Sequence, residues 1–255
     1  MAIHPTAIVK SGAKLADGVA VNEYAYVGAL VTIGRGCVIG HHATVDGRTT
    51  LAEGNIVHPY AYIGGPTHDL KYTGGEPGLE IGARNVFREF CTIHVGTKPD
   101  ASTLIGSDNT FLAYSHVAHD CAVGNHVIMS SHAALGGHVT VDDYANIGWS
   151  AGIHQFCKVG KYAMVGASGK AVQDIMPFML ADGNPSKVRC VNAINLQRNG
   201  FSEEEIAAIR HIFKIFYSRG LNRRQAVDVL LGTETSFPFC KTVLAFISES
   251  TRGLA

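Results

Sequence analysis

The sequence predicts a mainly β protein, a parallel β-helix of hexapeptide repeats followed by a C-terminal α-helical domain. The first observation is a six-residue period, since in steps of six from Ile3 to Ala171 only Asp69, Gly75 and Pro99 of 29 positions are not apolar. The second is a change to helical spacing near residue 175. Neither the 3.6-residue period of a helix nor the two-residue period of a strand produces six-residue spacing. One hexad on each flat side of a triangular coil does produce it.

The position four residues after each aliphatic residue is small or slender, which fits the corner of such a coil. Three hexads close one coil of 18 residues, and successive coils stack through parallel ladders at about 4.8 Å. Four of the six cysteines occupy the corner position, and we expect them to be buried as small apolar side chains; they are Cys37, Cys91, Cys121 and Cys157.

The repeat is interrupted twice, and we expect loops extruded from the coil at about residues 65–78 and 98–103. Long excursions from a regular solenoid are often functional. The predicted domains are therefore a prism over residues 1–175, carrying both loops, and a helical domain over residues 176–255.

Helical spacing in the C-terminal domain predicts three helices. The capping box Ser202-Glu-Glu-Glu205 opens the first, which ends at Gly220. Its predicted apolar face consists of Ile206, Ile209, Phe213 and Phe216. The other two are expected over residues 222–231 and 242–250.

Composition excludes several classes of function. Lys+Arg and Asp+Glu are both 21, so the chain lacks the basic excess of a nucleic-acid binder. No apolar run approaches the roughly 18 residues of a membrane helix, and the N-terminus does not resemble a signal peptide. The cysteines form no CxxC pair, which argues against a zinc ribbon or a redox motif. We therefore expect a cytoplasmic enzyme or binding protein.

Residues 18 apart should lie one coil above the other, and this rule assembles a candidate site. His119, Gly137 and Gln155 form one column, with Asp120 and His138 beside it. Four histidines of this region occupy neither the inward nor the small position, so they should face solvent or another subunit: His116, His119, His138 and His154.

The composition of this column suits acyl transfer. A histidine can accept a proton near neutral pH, and an adjacent carboxylate such as Asp120 can orient its ring. A glycine one coil away exposes a backbone N–H that could stabilise an oxyanion. Because the chain has no GxSxG motif, we expect transfer to a hydroxyl or amine without a covalent intermediate.

Longer motifs now identify a family. The chain contains Asp69-Leu-Lys-Tyr72, Ile93-His-Val-Gly-Thr97, His116-Val-Ala-His-Asp-Cys121, His154-Gln-Phe-Cys157 and Ser250-Thr-Arg-Gly253. With these motifs it resembles, over almost its whole length, the UDP-N-acetylglucosamine 3-O-acyltransferases, which begin lipid A synthesis in Gram-negative bacteria. The resemblance implies left-handed winding of the coil.

The resemblance also implies roles for individual residues. His119 would remove the proton from the glucosamine 3-hydroxyl, Asp120 would orient His119, and the backbone N–H of Gly137 would stabilise the oxyanion of the thioester. The implied substrate-binding residues are His116, His138 and Gln155 for the sugar and the acyl donor, Asp69 and Lys71 for the sugar nucleotide, and Asn192 and Arg198 for the nucleotide.

Partners follow from the same resemblance. The donor would be a 3-hydroxyacyl chain on acyl carrier protein, and the family members are homotrimers with sites between adjacent prisms. Since the carrier is acidic, the candidate contacts are basic: Lys158, Lys161, Lys170 and Arg198. No metal or dissociable cofactor is implied.

Three departures from the family pattern stand out. Ile194 replaces a common glutamate, while Trp149 and Ala167 replace common glycines in a column that borders the acyl groove in the family. We hypothesise that Trp149 and Ala167 shorten or reshape this groove. The alternative is that Trp149, the single tryptophan, packs at a subunit interface.

Other functions stay open at this point. The acceptor could carry a 3-amino group instead of a 3-hydroxyl group. A γ-type carbonic anhydrase shares the prism but requires three histidines on zinc. The related N-acyltransferase of the same pathway normally carries an extra N-terminal domain, and a non-catalytic scaffold could share the prism alone.

Overall fold

The computed structural model describes residues 2–232 and 238–255. This part of the chain contains 28 strands and four helices. The strands are β1 (Ala2–Ile3), β2 (Ile8–Val9), β3 (Lys14–Leu15), β4 (Ala20–Val21), β5 (Tyr26–Val27), β6 (Thr32–Ile33), β7 (Val38–Ile39), β8 (Thr44–Val45), β9 (Arg48–Leu51), β10 (Ile56–Val57), β11 (Tyr62–Gly65), β12 (Gly78–Ile81), β13 (Val86–Phe87), β14 (Thr92–His94), β15 (Ser102–Ile105), β16 (Thr110–Phe111), β17 (His116–Val117), β18 (Ala122–Val123), β19 (Ile128–Met129), β20 (Ala134–Leu135), β21 (Thr140–Val141), β22 (Asn146–Ile147), β23 (Gly152–Ile153), β24 (Lys158–Val159), β25 (Met164–Val165), β26 (Lys170–Ala171), β27 (Met179–Asp182) and β28 (Lys187–Val191).

Three sheets form the three sides of a prism, and from β1 to β26 every third strand belongs to the same sheet. Face A is the sheet that begins with β1, face B the sheet that begins with β2, and face C the sheet that begins with β3. The chain turns at edges AB, BC and CA. In one coil these turns are residues 112–115, 118–121 and 124–127.

The register confirms the 18-residue coil and locates its interruptions. Val117 pairs with Leu135 one coil later. The spacing rises to 30 residues where Leu51 pairs with Ile81, and to 24 where Ile81 pairs with Ile105. The chain therefore inserts loops over residues 66–77 and 95–101, and both loops leave the prism at edge BC.

The second loop corrects a predicted boundary. The predicted excursion covered residues 98–103, but Ser102 and Thr103 already belong to β15. They pair with Gly78 and Leu79 of β12, so this strand is longer than the two-residue strands of most coils. The periodicity could not place this boundary because β15 extends before its aliphatic residue Ile105.

The aliphatic series fills the prism as predicted. From Val21 onward its members in the strands are almost fully buried, whereas Ile3 is 44% exposed because no earlier coil covers it. The four corner cysteines are buried. Burial raises the pKa of the Cys91 and Cys121 thiols to about 12, which makes both poor nucleophiles.

The C-terminal region begins with an antiparallel hairpin, β27 and β28, that extends face A. It continues with four helices, α1 (Ala193–Arg198), α2 (Glu203–Tyr217), α3 (Arg223–Leu231) and α4 (Phe239–Glu249). The predicted capping box at Ser202 is present, and a second one at Asn222 opens α3. The side chains of the two N-caps accept from backbone N–H groups that lack intrahelical partners.

Sequence spacing missed parts of this region. The hairpin strands and α1 were not predicted, and α4 begins at Phe239 rather than at residue 242. Helix α2 ends at Tyr217, before Gly220. Its buried face is Ile206, Ile209, Ile212 and Ile215, while Phe213 and Phe216 are only partly buried.

The helices share a second core that begins at Met176. Asp174, fully buried at the end of the prism, holds the C-terminal segment in place. Its Oδ2 accepts from the Ser250 hydroxyl at 2.7 Å, and its backbone N–H donates to Gly253. Within residues 2–232 and 238–255, no helix combines the length and apolarity needed to cross a bilayer.

Candidate active site

Coil stacking at edge BC brings the predicted catalytic residues together. The His138 N–H donates to the His119 carbonyl at 3.1 Å, and the Phe156 N–H donates to the Gly137 carbonyl at 3.1 Å. His119, Gly137 and Gln155 therefore occupy successive coils. Both inserted loops leave the same edge, so the candidate catalytic column and the loops share one side of the molecule.

His119 and Asp120 form a hydrogen-bonded pair. His119 Nδ1 lies 2.8 Å from Asp120 Oδ2, and the side chains are only 15% and 10% exposed. A proton on Nδ1 donates to the carboxylate and leaves Nε2 as an acceptor. This is the tautomer that a general base requires.

Thr97 holds the carboxylate of this pair in place. The sequence alone does not mark Thr97 as a site residue. Its hydroxyl donates to Asp120 Oδ2 at 2.6 Å, and its backbone N–H donates to Oδ1 at 3.1 Å. Burial raises the pKa of Asp120, but the hydrogen bonds from Thr97 and His119 outweigh it and leave the pKa below its ordinary value. Asp120 is therefore held as a carboxylate.

Gly137 lies against the His119 ring. A Cβ at position 137 would be 2.5 Å from Cε1 and 2.6 Å from Nε2 of His119, closer than real Cβ atoms approach. Only glycine therefore lets the backbone of the next coil lie beside the basic nitrogen. This places a bare main chain next to the atom that would accept a proton.

Three further histidines, His68, His94 and His116, form a cluster of rings next to the candidate site. His94 is 5% exposed, and its ring meets His68 and His116 edge to face, at centroid distances of 4.1 and 4.8 Å. Burial, together with the neighbouring histidines, lowers the pKa of His94 to about 4. Burial likewise lowers the pKa of His116, whose Nδ1 lies 2.8 Å from the Thr92 hydroxyl. Both rings are therefore neutral at pH 7.

His68 attaches the first loop to the site. Its ring stacks on His116 at 6.2 Å, and it immediately precedes the predicted sugar-nucleotide residue Asp69. Asp69 Oδ1 accepts from the Lys71 N–H at 2.9 Å, which shapes the loop locally. Neither His68 nor His94 was singled out from sequence, although His94 lies in the motif Ile93-His-Val-Gly-Thr97.

The predicted substrate-binding and acyl-groove residues together are spread over all three edges. His116 lies on face B, and His138 and Gln155 lie at edge BC with His119. Asn192 and helix α1, which ends at Arg198, lie along edge CA, since the Asn192 and Asn195 side chains donate to the carbonyls of Tyr162 and Tyr144, each at 2.9 Å. Trp149 and Ala167 lie one coil apart at edge AB. Within one protomer, edges CA and AB are each a full prism face from His119, about 20 Å for six residues of strand.

One cluster within residues 2–232 and 238–255 brings three metal-ligating side chains together: His119, Asp120 and His138, with ligand atoms within 4.8 Å of one another. It does not provide the three histidines of a γ-type carbonic anhydrase. Its carboxylate already accepts two bonds from Thr97 and one from His119. This arrangement suits the orientation of a base better than the coordination of zinc.

Comparison with known proteins agrees with this geometry. Residues 174–255 match a family model described as UDP N-acetylglucosamine O-acyltransferase, domain 2. The chain is 44% identical to the acyl-[acyl-carrier-protein]–UDP-N-acetylglucosamine O-acyltransferase of Saccharophagus degradans, over 99% of this chain and 98% of that protein. It is 42% identical to the protein of the same name from Verminephrobacter eiseniae, over 99% and 98% of the two chains.

A solved structure shows the same fold. The UDP-N-acetylglucosamine O-acyltransferase of Moraxella catarrhalis superposes with a TM-score of 0.96 at 35% identity, covering 100% of this chain and 99% of that one. The likeness confirms the predicted fold class, a left-handed parallel β-helix with a C-terminal helical domain. The chain belongs to the UDP-N-acetylglucosamine O-acyltransferase family.

Proposed function

We propose that this protein transfers a 3-hydroxyacyl chain from acyl carrier protein to the 3-hydroxyl of UDP-N-acetylglucosamine, the reaction that begins lipid A biosynthesis. The observation that carries the proposal is the His119–Asp120 pair at 2.8 Å with the Gly137 backbone against the ring. Family membership supplies the substrates, and edge BC supplies the groups that acyl transfer needs.

The reaction requires one base and one oxyanion donor. His119 Nε2 removes the proton of the sugar 3-hydroxyl as its oxygen attacks the thioester carbonyl carbon. The backbone N–H of Gly137 stabilises the negative charge on the carbonyl oxygen. When the tetrahedral intermediate collapses, the carbon–sulfur bond breaks and the His119 imidazolium returns its proton to the departing thiolate. The products are the ester and the free carrier thiol.

The surrounding residues position the two substrates. The neutral His116 ring lies near His119, the partly exposed His138 ring lies on the next coil, and Gln155 extends the same edge. Asp69 and Lys71 reach the sugar nucleotide from the first loop. The contact of His68 with His116 supports this assignment, because it holds the loop beside the catalytic column.

The complete site is composite. Arg198 and Asn192 lie at edge CA, a prism face away from His119, so they can hold the nucleotide of this site only from a second copy of the chain. A groove of about 920 Å³ runs along face C, but its lining includes Glu80 and Leu104 and not His119. We therefore assign the site to the boundary between edge BC of one copy and edge CA of the next, in a homotrimer.

The acyl chain would run inward from edge BC between two copies. Face A offers an apolar wall for it, since its outward side chains include Ile56, Ile128 and Met164. Trp149 and Ala167 at edge AB would then close the groove and limit chain length. Trp149 is 55% exposed in a single copy, which leaves its ring available for either a groove or a subunit contact.

Acyl carrier protein would meet the basic residues near the site. Lys170 is exposed on face B and Arg198 at the end of α1. Lys158 and Lys161 are less available, because they form ion pairs with Glu249 at 2.8 Å and with Asp143 at 3.5 Å. We infer a cytoplasmic reaction, since the substrates implied by the family are a nucleotide sugar and a carrier-bound acyl chain.

Incubation of the protein with UDP-N-acetylglucosamine and a panel of 3-hydroxyacyl carrier proteins tests this proposal. Mass spectrometry should find a monoacylated nucleotide sugar, and the panel should show the preferred chain length. A folded trimer that transfers no chain to the 3-hydroxyl would overturn it. Turnover only with the 3-amino sugar nucleotide would reassign the acceptor and retain the mechanism.

A further inference from the structure

Two imidazole rings and one carboxylate converge at edge BC. His119 Nδ1 lies 2.8 Å from Asp120 Oδ2, and His138 Nε2 lies 3.7 Å from the same oxygen. We call these three side chains the BC cluster, and their ligand atoms all lie within 4.8 Å of one another. Imidazole nitrogen and carboxylate oxygen are donors that zinc and related transition metals accept. The base of the proposed reaction is therefore also a candidate metal ligand.

The spacing of the BC cluster is close to that of a tetrahedral metal site. Ligand atoms bound about 2.1 Å from a tetrahedral ion lie about 3.4 Å from one another. The two distances from Asp120 Oδ2, 2.8 and 3.7 Å, fall on either side of this value. Each distance needs a change of less than about 1 Å, which small rotations of the His119 and His138 side chains can supply.

Neighbouring groups already hold the three ligands in place. The Thr97 hydroxyl and N–H both donate to the Asp120 carboxylate. The His138 ring stacks on Phe156 with centroids 4.6 Å apart, and the His138 N–H donates to the His119 carbonyl. Such outer contacts orient metal ligands, so an ion would order few additional side chains on binding.

An ion would replace only one hydrogen bond of the BC cluster. The bond from His119 Nδ1 to Asp120 Oδ2 would be lost, whereas both bonds from Thr97 can remain, because a carboxylate oxygen has two acceptor sites. The His138 side chain is 38% exposed, so the cluster opens to solvent. A water molecule can therefore serve as the fourth ligand, as it does in open zinc sites.

We propose that the BC cluster binds one divalent transition-metal ion, such as zinc, and that this ion inhibits acyl transfer instead of assisting it. The inhibition rests on the proposed function, and the binding does not. A neutral imidazole carries one N–H. When zinc binds His119 Nδ1, the proton of this ring moves to Nε2, the atom that must accept the proton of the sugar hydroxyl. The ring keeps its single proton but is no longer a base at the reacting position.

The donor set also predicts which ions inhibit. Two of the three ligands are imidazoles, which suit zinc, copper and nickel. Magnesium prefers six oxygen ligands in octahedral geometry, and the BC cluster offers a single carboxylate. We therefore expect zinc to inhibit the protein at concentrations at which magnesium has no effect.

A matched pair of histidine substitutions tests the binding. His138 and His126 occupy the same kind of left-handed corner, with φ of 61° and 56°. Each ring stacks on an aromatic ring of the next coil, Phe156 at 4.6 Å and Tyr144 at 4.5 Å, but His126 lies at edge CA, outside the cluster.

Isothermal titration calorimetry with zinc chloride should find one ion per chain in the unmodified protein and in His126→Gln. Loss of an outer contact weakens metal binding about 10- to 100-fold, so the loss of a ligand in His138→Gln should weaken it at least about tenfold. Equal zinc affinity in His138→Gln and the unmodified protein, or no binding by the unmodified protein, would overturn the proposal.

Transfer assays test the inhibition. At the zinc concentration that saturates the site, the rate should fall at least about 100-fold, the loss expected when a general base is removed. A chelator should restore the rate, and the same concentration of magnesium should leave it unchanged. Full activity of the zinc-loaded protein would overturn the inhibitory role. A protein that transfers acyl chains but binds no zinc retains the proposed function without this site, whereas zinc binding through His138 in a protein without transfer supports the site alone.

Discussion

Edges BC and AB are built from the same hexapeptide corner, yet they differ in chemistry. Edge BC carries Asp120 and His138 at its left-handed corner positions, whereas edge AB carries Tyr60 and Tyr114. Both inserted loops leave edge BC, and edge AB has none. The coil thus presents identical backbone positions at both edges, and the side chains placed there give edge BC a cluster of titratable groups and edge AB a row of exposed aromatic rings.

The comparison also shows how the site is held rigid. At edge BC the His119 ring is fixed by Asp120, which is fixed by Thr97 in the second loop. At edge AB no such polar network is needed, since stacking of rings at the coil spacing orders the side chains. Substitutions at the first edge should therefore change catalytic rate, and those at the second should change assembly or chain-length preference.

The largest effect is expected at His119. His119→Ala removes the base, and we expect kcat to fall at least about 100-fold. The thermal melting temperature should stay close to that of the unmodified protein, because the ring lies outside the apolar core of the prism. Steady-state kinetics and a melting curve check this, and retained kcat would show that another group is the base.

A slightly smaller effect is expected at Gly137. Gly137→Ala would force a Cβ into the His119 ring, and a displacement of about 1 Å can cost about 100-fold in rate. Gly232→Ala is a matched control, since its Cβ would make only ordinary contacts at 3.5 and 3.7 Å. Equal activities of the two variants would contradict the close approach described for edge BC.

Thr97 should contribute through Asp120. Thr97→Val removes the hydroxyl donor, and since hydrogen bonds to charged groups contribute about 1.5–3 kcal/mol, we expect kcat to fall at least about tenfold with little change in KM. The Asp120 pKa should rise, so the acid limb of the pH–rate profile should move to higher pH. Thr97→Ser should restore both properties. A Ser variant as impaired as the Val variant would indicate a packing role instead.

The buried His94 should make the stability of the protein sensitive to acid pH. Its pKa is about 4 when folded, against about 6.5 for an unperturbed histidine, so the unfolded chain binds the extra proton first. The contribution of the neutral His94 ring to the free energy of unfolding is fully present above pH 6.5. It is lost as the pH drops toward 4, and the loss is on the order of 2–3 kcal/mol. Melting temperatures measured across this range should decline less in His94→Gln. An identical decline in both proteins would contradict the prediction.

The smallest effect on rate is expected at edge AB. Trp149→Gly should open the inner end of the acyl groove and shift the preferred donor to longer chains, with kcat for the best donor nearly unchanged. Competition between carrier proteins of different chain length, read by mass spectrometry, measures the shift. An unchanged preference would assign Trp149 to subunit packing alone.

Most of the prism, and the stacking of His119, Gly137 and Gln155 on successive coils, could be predicted because both follow from strict periodicity. The six-residue series located the inward side chains, and the 18-residue rule brought His119 beside Gly137. Thr97 and His68 could not be placed in this way, since they lie in loops where the period is lost. The stack of aromatic rings at edge AB, which runs from Tyr60 through Phe90 to Tyr114, does not emerge from the sequence either, because the insertions change its spacing from 18 residues to 30 before Phe90 and to 24 before Tyr114.

The C-terminal domain was harder to predict for a different reason. Helix boundaries followed local signals at Ser202 and Asn222, where the N-caps use polar side chains. Helix α4 begins after Pro238, which makes no side-chain cap, so its first turn gave no such signal. Its start depends on packing of Phe239 and Cys240 into the second core.

If edge BC of one copy and edge CA of its neighbour form one site, mixing of inactive subunits should restore activity. His119→Ala and Arg198→Ala should each be nearly inactive as pure trimers. Trimers reassembled from an equal mixture should regain activity, because roughly one site in four pairs an intact His119 with an intact Arg198 across the boundary. A mixture no more active than its two components would contradict the composite site.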